Sequence, residues 1–361
     1  MKTEYNKWFR NCIIALASLL LGIFVLVLIV DPFFHYHKPI TKYRLIEPRY
    51  TNDGISRYFD YDAVITGTSM VQNFKNSQFD YIFDVHSVKM PFAGAGYEEI
   101  AANMSRTLKR NSETSHVLWA IDYNGLLRKY DWSQYNDYPT YLYDENPLND
   151  APYILNKSML YHALLPDIMM TIQGGYSTDM DEYAVFEDPT GASHVYSGRH
   201  YYDTICDDRL SDEEVSQVEE TFQKNFVDII EQYPNTVFHL YFTPYSIYFW
   251  ENMYGANQIN RCIEAQQIAT EMLLKCPNVE LSSFFEATDI ICNLDNYMDE
   301  GHYSETINVW IMNCIGSKEY LVTKENYRDR IAAQKEFYLN FDYDEYFSNL
   351  EQELGMNENS N

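Results

Sequence analysis

The longest apolar stretch of the chain lies near its N-terminus, where residues 12–30 contain no charged side chain and are rich in Leu, Ile and Val. As a helix, this stretch would be roughly 28 Å long, about the thickness of the hydrocarbon core of a bilayer. The pattern predicts one transmembrane helix. A cleaved signal peptide is the alternative, but its apolar region would be shorter and would end at small residues, whereas this one ends in Val30-Asp31-Pro32.

The charges around this stretch predict its orientation. Lys2, Lys7 and Arg10 precede it, against the single acid Glu4. Basic residues that flank a membrane span stay on its cytoplasmic side. We therefore expect a cytoplasmic tail at residues 1–11, a single-pass anchor at 12–30, and an extracellular chain from residue 31 onward.

Beyond the anchor, short apolar runs alternate with amphipathic segments. The segments of helical periodicity cover residues 97–109, 211–232 and 257–274. The apolar runs that predict strands cover residues 62–67, 87–92, 116–121, 236–242 and 278–281. Strands that alternate with helices predict an α/β fold, a three-layer sandwich with a central parallel sheet. In such sheets the active site forms at the carboxyl ends of the strands.

The alternation is interrupted at residues 123–209, which contain thirteen tyrosines and Trp132. We interpret this segment as an insertion over the active edge of the sheet, whose aromatic rings either stack on sugars or pack on one another. It would belong to one extracellular domain at 31–317. An acidic helical extension would follow at 318–361, and the composition argues against disorder anywhere except at its last residues, 356–361.

Charge and cysteine content exclude several classes of partner and site. The chain carries a net charge of −27, of which the first thirty residues contribute +2 and the remainder −29. Such a surface argues against nucleic acid as a partner. The cysteines beyond the anchor are scattered and odd in number, so disulfides and free thiols both stay open. Neither these cysteines nor the histidines have metal-ligand spacing, and we expect no metal or cofactor.

Two short motifs supply the parts of a nucleophilic enzyme. Ser69 follows the first predicted strand within Gly67-Thr68-Ser69, and Asp299 and His302 stand three residues apart near the C-terminus. A serine needs an adjacent base, and a histidine oriented by a carboxylate is the usual one. We therefore predict a catalytic triad of Ser69, His302 and Asp299. Helix or turn caps are the alternative roles for Ser69 and Asp299.

The same reasoning predicts an oxyanion hole. The backbone N–H groups of Ser69 and Gly94 are candidate donors, because a glycine lets the main chain approach the substrate closely. A standard α/β-hydrolase is disfavoured, since its nucleophile lies in G-x-S-x-G, whereas here Met70 and Val71 follow the serine.

These motifs resemble those of the SGNH (GDSL-like) hydrolase superfamily. The matching residues are Gly67-Thr68-Ser69, Gly94, and the pair Asp299 and His302. The anchor and the sequence around His302 look more specifically like membrane-anchored members from Gram-positive bacteria, the group that includes DltD and relatives of cell-surface polysaccharide acetyltransferases. Members of the superfamily carry a G-x-N-D block whose Asn completes the oxyanion hole. Here that region contains Asp122 and Asn124: Asn124 is the candidate third donor of the oxyanion hole, and the alternative is that Asp122 occupies the position in another role.

The resemblance implies an SGNH/flavodoxin-like fold and O-acyl transfer, of acetyl or D-alanyl groups, through an acyl-enzyme on Ser69. The implied acceptor is a cell-surface polysaccharide or teichoic acid, and the implied partner is an MBOAT-type membrane acyltransferase. Two alternatives stay open: a carbohydrate O-acyl esterase, and a non-catalytic scaffold in an envelope-modifying complex.

Overall fold

The apolar runs of the sequence form one six-stranded sheet in the computed structural model, which describes residues 2–135, 138–198 and 208–356. Several predicted features lie outside the described residues: Cys206, two parts of the Tyr-rich segment (136–137 and 199–207), and the end of the C-terminal extension (357–361). The strands are β1 (Ala63–Gly67), β2 (Ser87–Pro91), β3 (His116–Ile121), β4 (Val237–Phe242), β5 (Val279–Ser283) and β6 (Leu321–Val322).

The sheet has the order β2-β1-β3-β4-β5-β6. The first five strands are parallel, and β6 pairs with β5 in the antiparallel direction. Because the parallel strands are covered on both faces, they are almost fully buried, which explains their continuous apolar sequences. The predicted mixed α/β fold with a central, mostly parallel sheet is confirmed.

Helices flank this sheet. The longer ones are Asn76–Phe83, Tyr97–Arg110, Asp212–Phe222, Ile247–Gly255, Ile259–Leu273, Glu305–Ser317, Tyr327–Asn340 and Tyr343–Glu353. The helix at Asp212–Phe222 begins with the capping box expected from its sequence, since Ser211 Oγ accepts the Glu214 N–H and the Glu214 carboxylate accepts the Ser211 N–H. It continues through a π-helical stretch, Gln223–Val227, into the short helix Asp228–Ile230.

The chain divides into two compact units. The sheet belongs to the unit formed by Tyr61–Asn136 and Val185–Asn361. The other unit consists of Met1–Asp60 and Asp137–Ala184, so the central part of the Tyr-rich segment belongs with the N-terminal region. The predicted domain limits at residues 31, 317, 123 and 209 stay a prediction.

The N-terminal unit contains the apolar helix Lys2–Val30, which is long and apolar enough to cross a membrane. Its other helices include Pro48–Tyr58 and Leu165–Gln173. The chain turns sharply where the apolar helix ends, because the buried Asp31 carboxylate accepts the backbone N–H groups of His35, Tyr36 and His37. Tyr153 OH donates to the same carboxylate at 2.8 Å. The tyrosine-rich segment therefore contributes packing and hydrogen bonds to this unit.

The cysteines that the structure describes are all free thiols. Cys262, Cys276 and Cys314 are buried, and Cys12 lies on the exposed apolar helix. Burial raises the pKa of the Cys292 thiol to about 12, which makes its thiolate scarce at neutral pH.

Candidate active site

The candidate nucleophile lies on a tight turn directly after β1. Gly67 ends the strand with a φ of +154°, and Ser69 opens the 3₁₀ turn Ser69–Val71. A Cβ on Gly67 would lie 2.9 Å from the Cβ of Ala120 in β3, so glycine is needed where the strand meets its neighbour. Thr68 Oγ1 accepts the Met70 N–H at 3.4 Å and thereby supports the turn that carries Ser69.

The structure brings the three predicted triad residues together. Ser69 Oγ lies 2.7 Å from His302 Nε2, and His302 Nδ1 lies 2.6 Å from Asp299 Oδ2. A neutral imidazole that donates from Nδ1 to the carboxylate has Nε2 free to accept the serine proton. The arrangement therefore has the geometry of a serine nucleophile, a general base and a carboxylate that orients the base.

A short loop holds the acid and the base in place. Tyr297 and Tyr303 form an antiparallel bridge, and the loop between them carries Asp299 and His302. Asp299 Oδ1 also accepts the backbone N–H groups of Gly301 at 2.8 Å and of His302 at 2.6 Å. The carboxylate thus has several donors, which hold its orientation toward the imidazole.

The electrostatics of this pair favour a charged imidazole. Burial lowers the pKa of His302, but the hydrogen bond and charge of Asp299 outweigh burial, and the pKa lies above the ordinary value of 6.5. Burial raises the pKa of Asp299, but hydrogen bonds from His302 and Gly301 outweigh it, and the pKa lies below the ordinary value. A carboxylate that stabilises the imidazolium makes His302 a stronger base toward the serine hydroxyl.

A second carboxyl group, on Asp122, lies at the carboxyl end of β3 and is nearly inaccessible to solvent. Its Oδ2 accepts Thr68 Oγ1–H at 2.5 Å, and its Oδ1 accepts Tyr245 OH at 3.2 Å. Burial raises the pKa of Asp122, although the hydrogen bonds from Thr68 and Tyr245 and the charge of His302 oppose the rise. The Asp122 side chain is therefore committed to holding Thr68, the residue before the nucleophile.

The candidate oxyanion donors lie in the same cleft as the triad. Within the described part of the chain, no protein acceptor pairs with the backbone N–H of Ser69 or of Gly94. Gly94 has a φ of +67°, a conformation that favours glycine, and it follows β2. Asn124 is exposed at the cleft, in the 3₁₀ turn Tyr123–Gly125. Which of these groups stabilise an oxyanion stays a prediction.

The triad opens into a cleft of about 820 Å³. Its walls come from the carboxyl ends of parallel strands and the loops that follow them, where ligands bind in such sheets. Lining residues outside the predicted site include Arg128, Trp132, Tyr245, Phe249 and Glu300. The cleft combines aromatic side chains with many polar and charged groups.

Most of these lining residues were not among the predicted site residues. Tyr245 comes three residues after the end of β4, so the rule that sites form at strand carboxyl ends could have identified it. Arg128 and Trp132 carry no such signal, because they belong to an irregular segment. Only the tertiary fold shows that they line the cleft.

Comparisons with known proteins add little to this geometry. No protein-family model matches the sequence, and no curated protein matches it either. Among solved structures, the chain is similar to a protein from Streptococcus pneumonia provisionally described as a platelet activating factor, with 12% sequence identity and a TM-score of 0.39. The alignment covers 85% of this chain and 98% of that one. At this identity and TM-score, the likeness carries no argument about activity.

Proposed function

We propose that this chain is an SGNH-type serine enzyme that transfers O-acyl groups, acetyl or D-alanyl, onto a cell-envelope glycan or teichoic acid. The observation that carries the proposal is the continuous hydrogen-bonded chain from Asp299 through His302 to Ser69 at the carboxyl edge of the sheet. The motif resemblance described above supports the SGNH assignment, and the apolar N-terminal helix supports an extracytoplasmic site tethered to the membrane.

The proposed reaction has two halves. Ser69 Oγ attacks the acyl carbon of a donor ester while His302 Nε2 takes the hydroxyl proton, and backbone N–H groups of Ser69 and Gly94 stabilise the negative oxygen. The imidazolium then protonates the departing alcohol, and an acyl-enzyme on Ser69 is left. In the second half, a hydroxyl of the acceptor gives its proton to His302 and attacks the acyl carbon. Ser69 Oγ recovers that proton as the product ester leaves.

Hydrolysis is the rival outcome of the same machinery. The side chain of His302 is 31% exposed, so water can reach the base that would activate it. A water molecule in place of the acceptor hydroxyl would make the chain a carbohydrate O-acyl esterase. Product analysis with 4-nitrophenyl acetate as donor and an excess of a glycan acceptor separates the two outcomes. A transferase forms the acceptor ester, whereas a pure esterase releases only acetate.

Labelling with a fluorophosphonate probe tests the nucleophile. We expect Ser69→Ala to abolish labelling and His302→Ala to reduce it by at least about 100-fold, because the hydroxyl loses its base. Ser216→Ala is a matched control, since Ser216 is an exposed serine of the helix Asp212–Phe222 and does not line the cleft. It should label like the wild type.

Two results would contradict the proposal. Labelling that persists in the Ser69→Ala variant would show that another residue is the nucleophile. Surface acylation in cells that is unchanged by the same variant would favour the scaffold alternative. The proposal includes an MBOAT-type membrane acyltransferase as the acyl donor. Co-purification of such a protein with the full chain, and with a variant that lacks the apolar helix, tests this part of the proposal.

A further inference from the structure

One arginine lines the candidate active cleft within the described part of the chain. Arg128 is the single Lys or Arg among the described residues that line it, whereas Asp122, Asp299 and Glu300 contribute acids. The chain as a whole has 26 basic and 53 acidic residues. A basic residue in this cleft therefore contrasts with the acidic composition of the chain. The positive charge of Arg128 therefore has to be explained by what the cleft binds.

The guanidinium of Arg128 has no ionic partner in the described part of the chain, while other arginines do. Arg57 pairs with Asp53, Arg261 with Glu214, and Arg330 with Glu286. Arg128 is exposed, and its Cζ lies 4.8 Å from the centre of the Trp132 ring. Stacking on an aromatic face leaves the in-plane N–H donors of a guanidinium free, and these donors match the oxygens of a carboxylate or phosphate.

The backbone around Arg128 is anchored to a neighbouring helix. Three side chains, spaced four residues apart along it, donate to backbone carbonyls of the segment: Gln217 to Leu127 at 2.9 Å, Thr221 to Arg128 at 3.0 Å, and Asn225 to Tyr130 at 2.9 Å. Thr221 and Asn225 are buried, so two of the three donor side chains are themselves shielded from water. The segment is thus held at a fixed place in the cleft wall, which lowers the entropic cost of using Arg128 as a binding group.

We propose that Arg128 binds an oxyanion group, a carboxylate or a phosphate, of the acyl acceptor, so that the natural acceptor is an anionic envelope polymer. This inference rests on the proposed function and names its substrate class. Because the rest of the chain is strongly acidic, bulk attraction does not bring such a polymer to the cleft, and its recognition depends on this one ion pair.

Matched acceptors test the inference. Acetyl transfer from 4-nitrophenyl acetate is measured to methyl glucuronoside against methyl glucoside, and to glycerol 1-phosphate against glycerol. The first pair probes a uronate source of the oxyanion and the second a phosphate source. We expect the wild type to prefer the anionic member of at least one pair, and Arg128→Gln to lower that preference by about 10- to 100-fold.

Two further variants complete the design. Arg128→Lys keeps the charge but loses the planar pair of donors, so it should restore part of the preference. Lys129→Gln removes the adjacent exposed cation, which does not line the cleft, and should leave both activity and preference unchanged. If the enzyme only hydrolyses, the same ratios are measured on the acetylated forms of the same compounds.

The failure of this inference is distinguishable from the failure of the proposed function. Equal use of anionic and neutral compounds by the wild type, with turnover that still depends on Ser69, would overturn the oxyanion site alone. Absence of any Ser69-dependent turnover would overturn the proposed function. Calorimetric binding of the anionic compounds to the wild type and to Arg128→Gln then decides the oxyanion site separately, and equal binding to both proteins contradicts it.

Discussion

At the residue scale, the ionisation of His302 connects the geometry of the site to a measurable pH dependence. The imidazole must be neutral to accept the Ser69 proton, and its pKa lies above the ordinary histidine value of 6.5 because Asp299 favours the charged form over the opposing effect of burial. Acidification should therefore remove activity at a higher pH than it would for an isolated histidine. We expect kcat/KM for 4-nitrophenyl acetate to rise with pH through a midpoint above 6.5.

The Asp299→Asn variant tests whether the Asp299 carboxylate is the cause of that midpoint. It removes the negative charge beside the imidazole, so the midpoint should move to lower pH, and kcat should fall by about 10²- to 10⁴-fold because the imidazole loses its orienting carboxylate. Asp289→Asn, on a short helix outside the cleft, is the control. A midpoint that does not move in Asp299→Asn would show that this carboxylate does not act on His302.

The role of Asp122 follows from its contacts and not from its position in the sequence. Its position after β3 makes it a candidate for the place that an asparagine occupies in the SGNH superfamily. The structure shows its carboxylate engaged with Thr68 and Tyr245. These contacts support the nucleophile turn, so we interpret Asp122 as a positioning residue for Ser69.

At the scale of secondary structure elements, the close contact between Gly96 and the backbone of Trp132 positions the wall of the cleft. Gly96, directly before the helix Tyr97–Arg110, is crossed by the segment that carries Arg128 and Trp132. A Cβ on Gly96 would lie 2.0 Å from the backbone oxygen of Trp132, and a carbonyl cannot move aside as a flexible side chain can. The glycine is therefore required by packing and not by its φ.

Substitution of this glycine should displace the cleft wall. We expect Gly96→Ala to destabilise the protein by about 1–3 kcal/mol and to lower its Tm by several degrees. Gly301→Ala is the matched comparison for stability, since its Cβ would meet only ordinary contacts with Tyr245, at 3.4 Å or more. An equal Tm for both variants, measured by calorimetry, would contradict the packing argument.

The element boundaries show which patterns were informative. All five parallel strands were predicted within two residues of their limits, because buried parallel strands have distinctive apolar runs; the largest difference is at β5, which extends to Ser283. The strand β6 was missed within the segment predicted as helical. It has two residues, Leu321 and Val322, and its strand conformation depends on pairing with β5, which no local pattern reveals.

At the scale of the whole molecule, the proposed topology has a direct test. We expect a tag at the N-terminus to be protected, and a tag at the C-terminus to be removed, when spheroplasts expressing the chain are treated with proteinase K. Deletion of residues 2–11 with insertion of acidic residues should weaken this orientation, because the basic residues determine it. Protection of the C-terminal tag in intact spheroplasts, with degradation after lysis, would place the sheet on the cytoplasmic side.

The sequence by itself determined the apolar helix, the α/β class with its parallel strands, and the candidate triad of Ser69, His302 and Asp299. These features depend on local periodicity or on short motifs, so their physical causes lie within a few residues of each other. The triad pair Asp299 and His302 is the clearest case, because three residues suffice for one carboxylate to bind the loop backbone and the imidazole together.

Only the tertiary structure decided what surrounds the triad. Ser69 and His302 are separated by 233 positions, and their 2.7 Å approach results from the order of the strands. Trp132 lies beside Gly96, Arg128 stands in the cleft without an ionic partner among the described residues, and Asp122 holds Thr68. Each of these contacts joins segments that are distant in sequence, and the packing energy that brings them together is a property of the whole fold.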